Sequence, residues 1–434
     1  MESAKKPEIT EERGLSKCAE RRFRRNYLLG IINGTMFRGS RIFIDEDTII
    51  PIFIASLTQS KFLVGLAVGL RLSGWFFPQI FVANWVGAKD RKHPTYIAWG
   101  AVRVVAILAI VLSVWLVGAG NPTLLLTLFF VFWAGLYFSA GMTGVSFVEV
   151  VAKTIPDGKL GSFYGYRMFF AGLVSLASGF LIVKIQAVYS YPTDYALIFM
   201  IAFLMITGGI VSWSLAREQR DIEVRPKKPL FAHLRESAEI FREDSRFRSL
   251  FGFKAAFYLW NAGVPFFILF FLDMEDFAWI AGYKGYLAMT KVIGLSVSNL
   301  LWARMANSER LGRCRGILTT VSAIAIVLPF AVIALSRPEF SGFALPAMFG
   351  VFFFIGTIQS GMVIGYMNTL IRISPAQRRP LYIGLMNSML GPIILGLALL
   401  GGGVVEIFSY KVMFTISALA AVLALICARR LSDA

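Results

Sequence analysis

The sequence predicts an all-α membrane protein with twelve transmembrane helices arranged as two six-helix bundles. Three observations predict it: an apolar composition, a train of apolar stretches, and an internal repeat. Hydrophobic types make up 57% of the 434 residues and charged types 16%, with a mean hydropathy of +0.67. Soluble domains carry roughly 45–50% apolar and about 25% charged residues. A soluble globule of this length cannot hide the difference, and a disordered chain needs the opposite composition. A membrane helix needs about 20 apolar residues to cross the hydrocarbon core, which leaves little chain for a soluble catalytic domain.

The spans follow in order. Span 1, residues 27–57, is long and interrupted by Arg38, Arg41 and the run Asp45-Glu46-Asp47. Its Gly30 and Gly34, like Gly65 and Gly69 in span 2 (62–87), have the spacing that lets helices approach closely. Spans 3 and 4 are 95–118 and 122–149. Span 5, 161–189, opens on Gly161 and Gly165, and span 6 is 194–216. A charged segment, 217–247, then separates six spans from six. Within it Phe231, Leu234, Ala238 and Phe241 recur at helical spacing beside Arg235, Glu239 and Arg242. That pattern predicts a short amphipathic helix on the inner membrane surface. Span 7, 248–272, contains Asn261-Ala262-Gly263-Val264-Pro265, where a helix bends readily. Spans 8 to 12 are 278–303, 314–336, 342–372 (with Gly361 and Gly365), 381–406 and 409–429. The chain thus divides into a tail (1–26), a bundle (27–216), a central loop (217–247) and a second bundle (248–430).

The formal charge of +17 orients this array. Most of the 43 Lys and Arg fall in tails and loops on one side, whereas the other side holds Lys61, Lys184, Arg337 and Lys411. By the positive-inside rule both termini are expected in the cytoplasm. The same distribution places the basic charge in short loops, so it argues against nucleic acid as a partner. Cys18, Cys314 and Cys427 all fall on the cytoplasmic side and imply no disulfide framework. The mixed-charge N-terminus has no apolar core of the signal-peptide type.

The two halves match at an offset of 219 residues. Pro156 pairs with Pro375, Lys159 with Arg378, Phe163 with Tyr382, Gly165 with Gly384 and Gly172 with Gly391. At the same offset Asp90-Arg91 pairs with Glu309-Arg310. A parallel six-plus-six repeat is the plan of transporters whose substrate site lies at the midplane between the halves.

On these residues the chain resembles the major facilitator superfamily, in a bacterial form, over nearly its full length. The loop VGAKDRKHP (86–94) is similar to the family's signature between helices 2 and 3, although Gly87 and Asp90 are one residue too close. The second copy, ARMANSERLGRCR (303–315), has Asn307 or Glu309 where an aspartate is usual. Asp45 ahead of Pro51 in span 1 also resembles a bacterial branch of the family. A glycine–proline pair typical of one antiporter subgroup is absent from span 5 and occurs instead as Gly391-Pro392 in span 11. The resemblance implies a major facilitator fold working by alternating access. It also implies a latch around the signature loop, for which the candidates are Asp90, Arg91, Lys92, Glu309 and Arg310. Such an acid accepts from helix N-terminal amides and pairs with arginine; the competing reading makes these residues topology-setting charges only.

Charges within the spans are the most informative residues, because each is costly unless paired or hydrated. The bases are Arg38, Arg41, Arg71, Arg103, Arg167, Lys254, Lys284 and Lys291; the acids are Asp45, Glu46, Asp47 and Glu149. At about 1.5 Å per residue, Arg41 lies roughly 21 Å into span 1, and Arg71 and Lys291 reach similar depth. Arg103 and Arg167 lie close to the inner face, where snorkelling or loop pairing explains them. Arg38, Arg41 and Asp45 share one face of span 1, and Lys284 and Lys291 one face of span 8. Two readings compete. In one, Arg38, Arg41, Arg71, Lys291, Asn261 and Gln359 bind an anionic solute while Asp45, with Glu149 second, carries a coupling proton. In the other, Arg41 or Arg71 permanently neutralises Asp45. Further polar candidates for the cavity are Asn33, Tyr137, Asn368 and Asn387.

No phosphate-binding GxxxxGK[ST] loop, metal-ligand cluster or intramembrane histidine is present in the sequence, since His93 and His233 are in loops. No enzyme activity, cofactor or metal is expected. The sequence reading is a monomeric, multi-pass secondary transporter of the bacterial inner membrane, moving a small organic anion by proton coupling. A hydrophobic-drug or lipid exporter, or a non-transporting sensor or assembly factor of the same fold, are the alternatives.

Overall fold

The computed structural model describes residues 6–78, 82, 85–86, 88–118, 120–220, 239–308, 313–375 and 379–431. Fourteen helices run through them: α1 Lys6–Gly39, α2 Ile49–Ala55, α3 Lys61–Phe76, α4 His93–Val117, α5 Pro122–Thr154, α6 Asp157–Val188 and α7 Thr193–Ser214. The second half holds α8 Ser245–Asn261, α9 Pro265–Leu272, α10 Lys284–Asn307, α11 Arg313–Leu335, α12 Ala344–Ile373, α13 Arg379–Ile407 and α14 Tyr410–Arg429. Nine helical segments among the described residues are long and apolar enough to cross a membrane. Large side chains such as Leu116, Ile407, Leu300, Phe169 and Trp115 stand exposed around the bundle. Apolar surface on that scale has lipid, not water, as its natural solvent.

Three expected spans are drawn differently by the structure. Span 1 is not one helix, because α1 ends at Gly39, a 3-10 turn covers Ser40–Ile42, and α2 restarts at Ile49. The cause is local. Asp45 Oδ1 accepts from the Asp47 N–H (3.0 Å) and the Thr48 hydroxyl (2.9 Å). Short acidic side chains that bond the backbone ahead of them compete with the helix ladder. Pro51 then sits in the first turn of α2, where its missing N–H is harmless. The second departure is in span 2, whose helix α3 ends at Phe76. In span 8 a 3-10 stretch over Glu275–Tyr283 precedes α10. Span 7 breaks where the sequence predicts a bend, with α8 ending at Asn261 and α9 starting on Pro265. At the N-terminus, α1 begins inside the segment expected as a tail. The amphipathic pattern at Phe231, Leu234 and Ala238 lies outside the described residues.

The halves meet along two seams, α3 against α13 and α6 against α10. In the first, Gly65 and Gly69 bring α3 onto the backbone of Ala398 and Gly402. In the second, Gly179 lies against Met289 and the Gly285 carbonyl. Moving along α6 toward its start, a Cβ on Gly172 would find only Ser296 Oγ at 3.8 Å, and one on Gly165 or Gly161 would find nothing within 4 Å. The expected packing role of the Gly161/Gly165 pair is therefore not realised; these glycines face open space. Gly30 and Gly34 pack against Phe163 and Arg167, and Gly361 and Gly365 against Trp302 and Leu318, as their spacing predicts.

On one face, Asn26 of α1 adjoins Arg217 just beyond α7 (3.0 Å), and Gly252 of α8 adjoins Cys427 near the end of α14. These ends define a terminal face. At the opposite, far face the halves are clasped. Glu406 accepts from the Phe62 N–H (2.7 Å) and the Ser60 hydroxyl (2.8 Å), and Lys61 pairs with Asp273 (2.8 Å). The halves are thus clasped at the far face, and the α6–α10 seam loosens toward the start of α6 while the α3–α13 seam stays in contact up to Phe77 and Gly391.

Candidate functional site: a charge network between the halves

The unwound segment after α1 turns Asp45, Glu46 and Asp47 inward, and all three are buried. Lys291 Nζ, from α10 of the other half, donates to Asp45 Oδ2 and to Asp47 Oδ2, the latter at 2.8 Å. Gln359 Nε2 of α12 donates to the same Asp47 oxygen at 3.1 Å. Asp47 Oδ1 is buried and has no hydrogen-bond partner. A buried carboxylate oxygen without a partner is expensive, so this atom is poised to take a proton or a donor group.

Glu46 turns the other way, within the first half. It accepts from Arg71 at 2.7 Å, and Arg41 stands 3.6 Å off. The Arg71–Glu46 pair is about nine-tenths buried on both sides, whereas the Arg41 side chain is 56% exposed. Arg71 and Lys291, expected to face an anion, are thus occupied by carboxylates. The neutralisation expected as the alternative is present with different partners: Arg71 holds Glu46, and Lys291 holds Asp45.

Arg38 and Arg103 lie near Arg41. Arg38 and Arg41 are exposed, and Arg103 lies half-buried with its guanidinium 4.4 Å over the Phe37 ring. Arg41 is within electrostatic reach of both Arg38 and Arg103. Arg38 and Arg103 have no carboxylate partner among the described residues, and the Arg103 Nε is buried without one. The sequence expectation for Arg103 is snorkelling or loop pairing; its place near Arg41 is visible only in three dimensions.

Arg167 does something else. It donates to the Gly30 carbonyl (2.7 Å) and to Asn33 Oδ1 (3.2 Å) and lies over the Phe147 ring. Asn33 in turn donates to the Tyr96 hydroxyl and the Gly209 carbonyl. Both residues pin α1 to its neighbours, a helix-to-helix role in place of the snorkelling or loop pairing expected of Arg167. Tyr137 is buried within electrostatic reach of Arg71, and Asn261 is buried at the α8–α9 break. Glu149 forms no ion pair among the described residues, and Asn368 is half-buried on α12.

The signature loop is latched by a residue that the sequence reading missed. Asp90 is exposed and only 3.9 Å from an equally exposed Arg220. The carboxylate that does the work is Glu218, just beyond α7. It accepts from the backbone N–H groups of Lys92 (2.8 Å) and His93 (2.7 Å) and pairs with Lys153 (2.7 Å). An acid at the positive N-terminal end of α4 is favoured by the helix dipole, and this one ties α4, α5 and α7 together. Glu218 was counted within the charged central segment; no local signal distinguishes it from its neighbours. Glu309 and Arg310 lie outside the described residues.

The comparisons agree with this architecture. The model for the Major Facilitator Superfamily matches residues 264–433. A solved variant of the nucleoside transporter NupG aligns over 94% of this chain and 100% of its own, with a TM-score of 0.69 and 14% identity. An auto-inhibited peptide transporter of the POT family aligns over 94% and 98%, with 0.67 and 15%. A bacterial homologue of the iron transporter ferroportin, in its inward-facing state, aligns over 94% and 99%, with 0.66 and 16%. No curated protein sequence matches the chain. The chain is therefore a multi-pass membrane protein of the major facilitator fold, with the family's sequence pattern in its second half. That is a class of transporters, not of enzymes.

Proposed function

We propose that this chain is a proton-coupled secondary transporter of a small organic anion, working by alternating access. One observation carries the reading. Among the described residues, the Lys291 link to Asp45 and Asp47 is the place where ionised groups of the two halves meet inside the bundle. Breaking that link removes the buried ionic tie between the halves and leaves the Lys61–Asp273 and Glu406 contacts to hold the far face.

The chemistry follows from charge balance. Lys291 places one positive charge between the carboxyl groups of Asp45 and Asp47. A proton delivered to Asp47, whose Oδ1 is unpartnered, cancels one negative charge and weakens the hold on the amine. Lys291 is then held by Asp45 alone. The anion itself is assigned to Arg38, Arg41 and Arg103, because three neighbouring guanidinium groups repel one another until an anion joins them. Arginine suits carboxylate or phosphate because its fork binds bidentately. Asp45 is the second proton acceptor, and Glu149 falls outside this circuit.

Twelve spans in two bundles, with the terminal face in the cytoplasm of a bacterium, complete the proposal. The inward-open form then places Arg41 in contact with cytoplasmic water. The neighbours of this fold include nucleoside, peptide and metal transporters, so the fold by itself selects no substrate.

The test is thermal stabilisation of the purified protein by succinate, pyruvate, benzoate and inorganic phosphate, with sucrose and choline as neutral and cationic controls. Stabilisation by an anion, lost in Arg41→Gln, supports the reading. Stabilisation by the controls alone contradicts it.

A further inference from the structure

A second basic site lies away from the charge network, at the terminal face. A cavity of about 450 Å³ is lined by Arg22 of α1, Arg91 and His93 at the start of α4, and Ala216, Arg217 and Glu218 beyond α7. Three arginines line one concavity. None of them pairs with a carboxylate among the described residues, and Arg22 Nε is buried without a partner.

The acid in the lining does not neutralise them. Glu218 is already engaged by the Lys92 and His93 amides and by Lys153. His93 Nε2 is engaged by the Trp213 carbonyl at 2.9 Å. Arg217 is fixed through its backbone, which exchanges hydrogen bonds with Asn26 (both 3.0 Å). The walls are thus held by bonds that leave the guanidinium groups unspent.

The surroundings indicate the source of the ligand. Leu215 precedes Ala216 in the chain, Ile97 follows His93 by one helical turn and Leu28 lies six residues beyond Arg22 on α1; each is exposed (53%, 42% and 59%). Exposed apolar side chains next to a basic concavity are the arrangement found where acyl chains end and headgroups begin.

We propose that this concavity binds a phosphate group, held by Arg22, Arg91 and Arg217. A lipid headgroup and a free phosphate share that chemistry, and the apolar border favours the lipid. None of its residues belongs to the central charge network, although Arg91 and His93 also lie in the signature loop that Glu218 latches.

The experiment measures binding to the full chain in detergent, using water-soluble dihexanoyl phosphatidylglycerol, dihexanoyl phosphatidylcholine and inorganic phosphate. Phosphatidylglycerol is expected to bind and phosphatidylcholine to bind more weakly. Arg91→Gln, an exposed substitution that the fold tolerates, should weaken binding about fivefold, and the triple Arg22→Gln, Arg91→Gln, Arg217→Gln variant should abolish it. Inorganic phosphate competing at equal strength keeps the site and assigns it to free phosphate. Equal binding of both lipids, or binding unchanged in Arg91→Gln and in the triple variant, overturns the proposal.

Discussion

Lys291 on α10 of the second half donates to Asp45 and Asp47 of the first, across the interface between the halves. The three side chains are buried. Such a group is worth little as net stabilisation, since desolvation offsets the Coulomb attraction. Its consequence appears when one partner is removed.

Lys291→Met should therefore lower stability by roughly 3–5 kcal/mol at alkaline pH, because it strands two carboxylates. Acid should restore much of the loss, since the stranded carboxylates can take up protons and become neutral. Melting temperature against pH measures this. A variant equally stable at pH 5 and pH 9 would show that Lys291 neutralises nothing there.

Asp47→Asn and Asp45→Asn should both uncouple the protein, with Asp47→Asn the stronger. The amide keeps a hydrogen-bonding side chain but cannot carry the proton. The readout is proton uptake on anion binding, followed by a pH-sensitive dye in weak buffer. Uptake unchanged in both variants would remove these residues from the coupling role.

Arg41 and Arg71 should respond oppositely to removal of their charge. Arg41→Gln is expected to weaken anion binding by about tenfold or more while leaving the fold intact, since its side chain is largely exposed. Arg71→Gln strands the buried Glu46 and should cost about 3–5 kcal/mol of stability. Melting curves with and without anion separate the two effects.

The latch distinguishes Glu218 from Asp90. Glu218→Gln weakens two amide contacts and loses the charge facing Lys153, so it should destabilise the first bundle by about 1–3 kcal/mol. Asp90→Asn touches one exposed, distant pair and should be nearly silent. Thermal unfolding of both variants side by side checks this.

Much of the architecture is legible in the sequence because membrane helices announce themselves by apolar length. The break at Asn261 to Pro265 and the seam at Gly65 and Gly69 are legible for similar reasons, a proline and a glycine spacing. The break in span 1 is harder to read, since it is made by Asp45 bonding its own backbone, and hydropathy averages over it. The charged set itself is readable, but its pairing is not. Lys291 and Asp45 are 246 residues apart, and no local rule joins them. The same holds for Glu218, whose partners lie 65 and more residues earlier, and for Arg103, whose depth suggested a lipid-interface role.

The most direct test of the central claim needs no substrate. Spin labels on the two halves at the far face, at Thr58 of the first and Phe408 of the second, report their separation as pH is changed. If protonation of Asp45 and Asp47 releases Lys291, acid should shift the distance distribution toward a longer, far-face-open population. The Asp45→Asn, Asp47→Asn double variant should hold that population at every pH. A distribution that ignores pH in the native chain, or a double variant that still responds like it, would contradict the account.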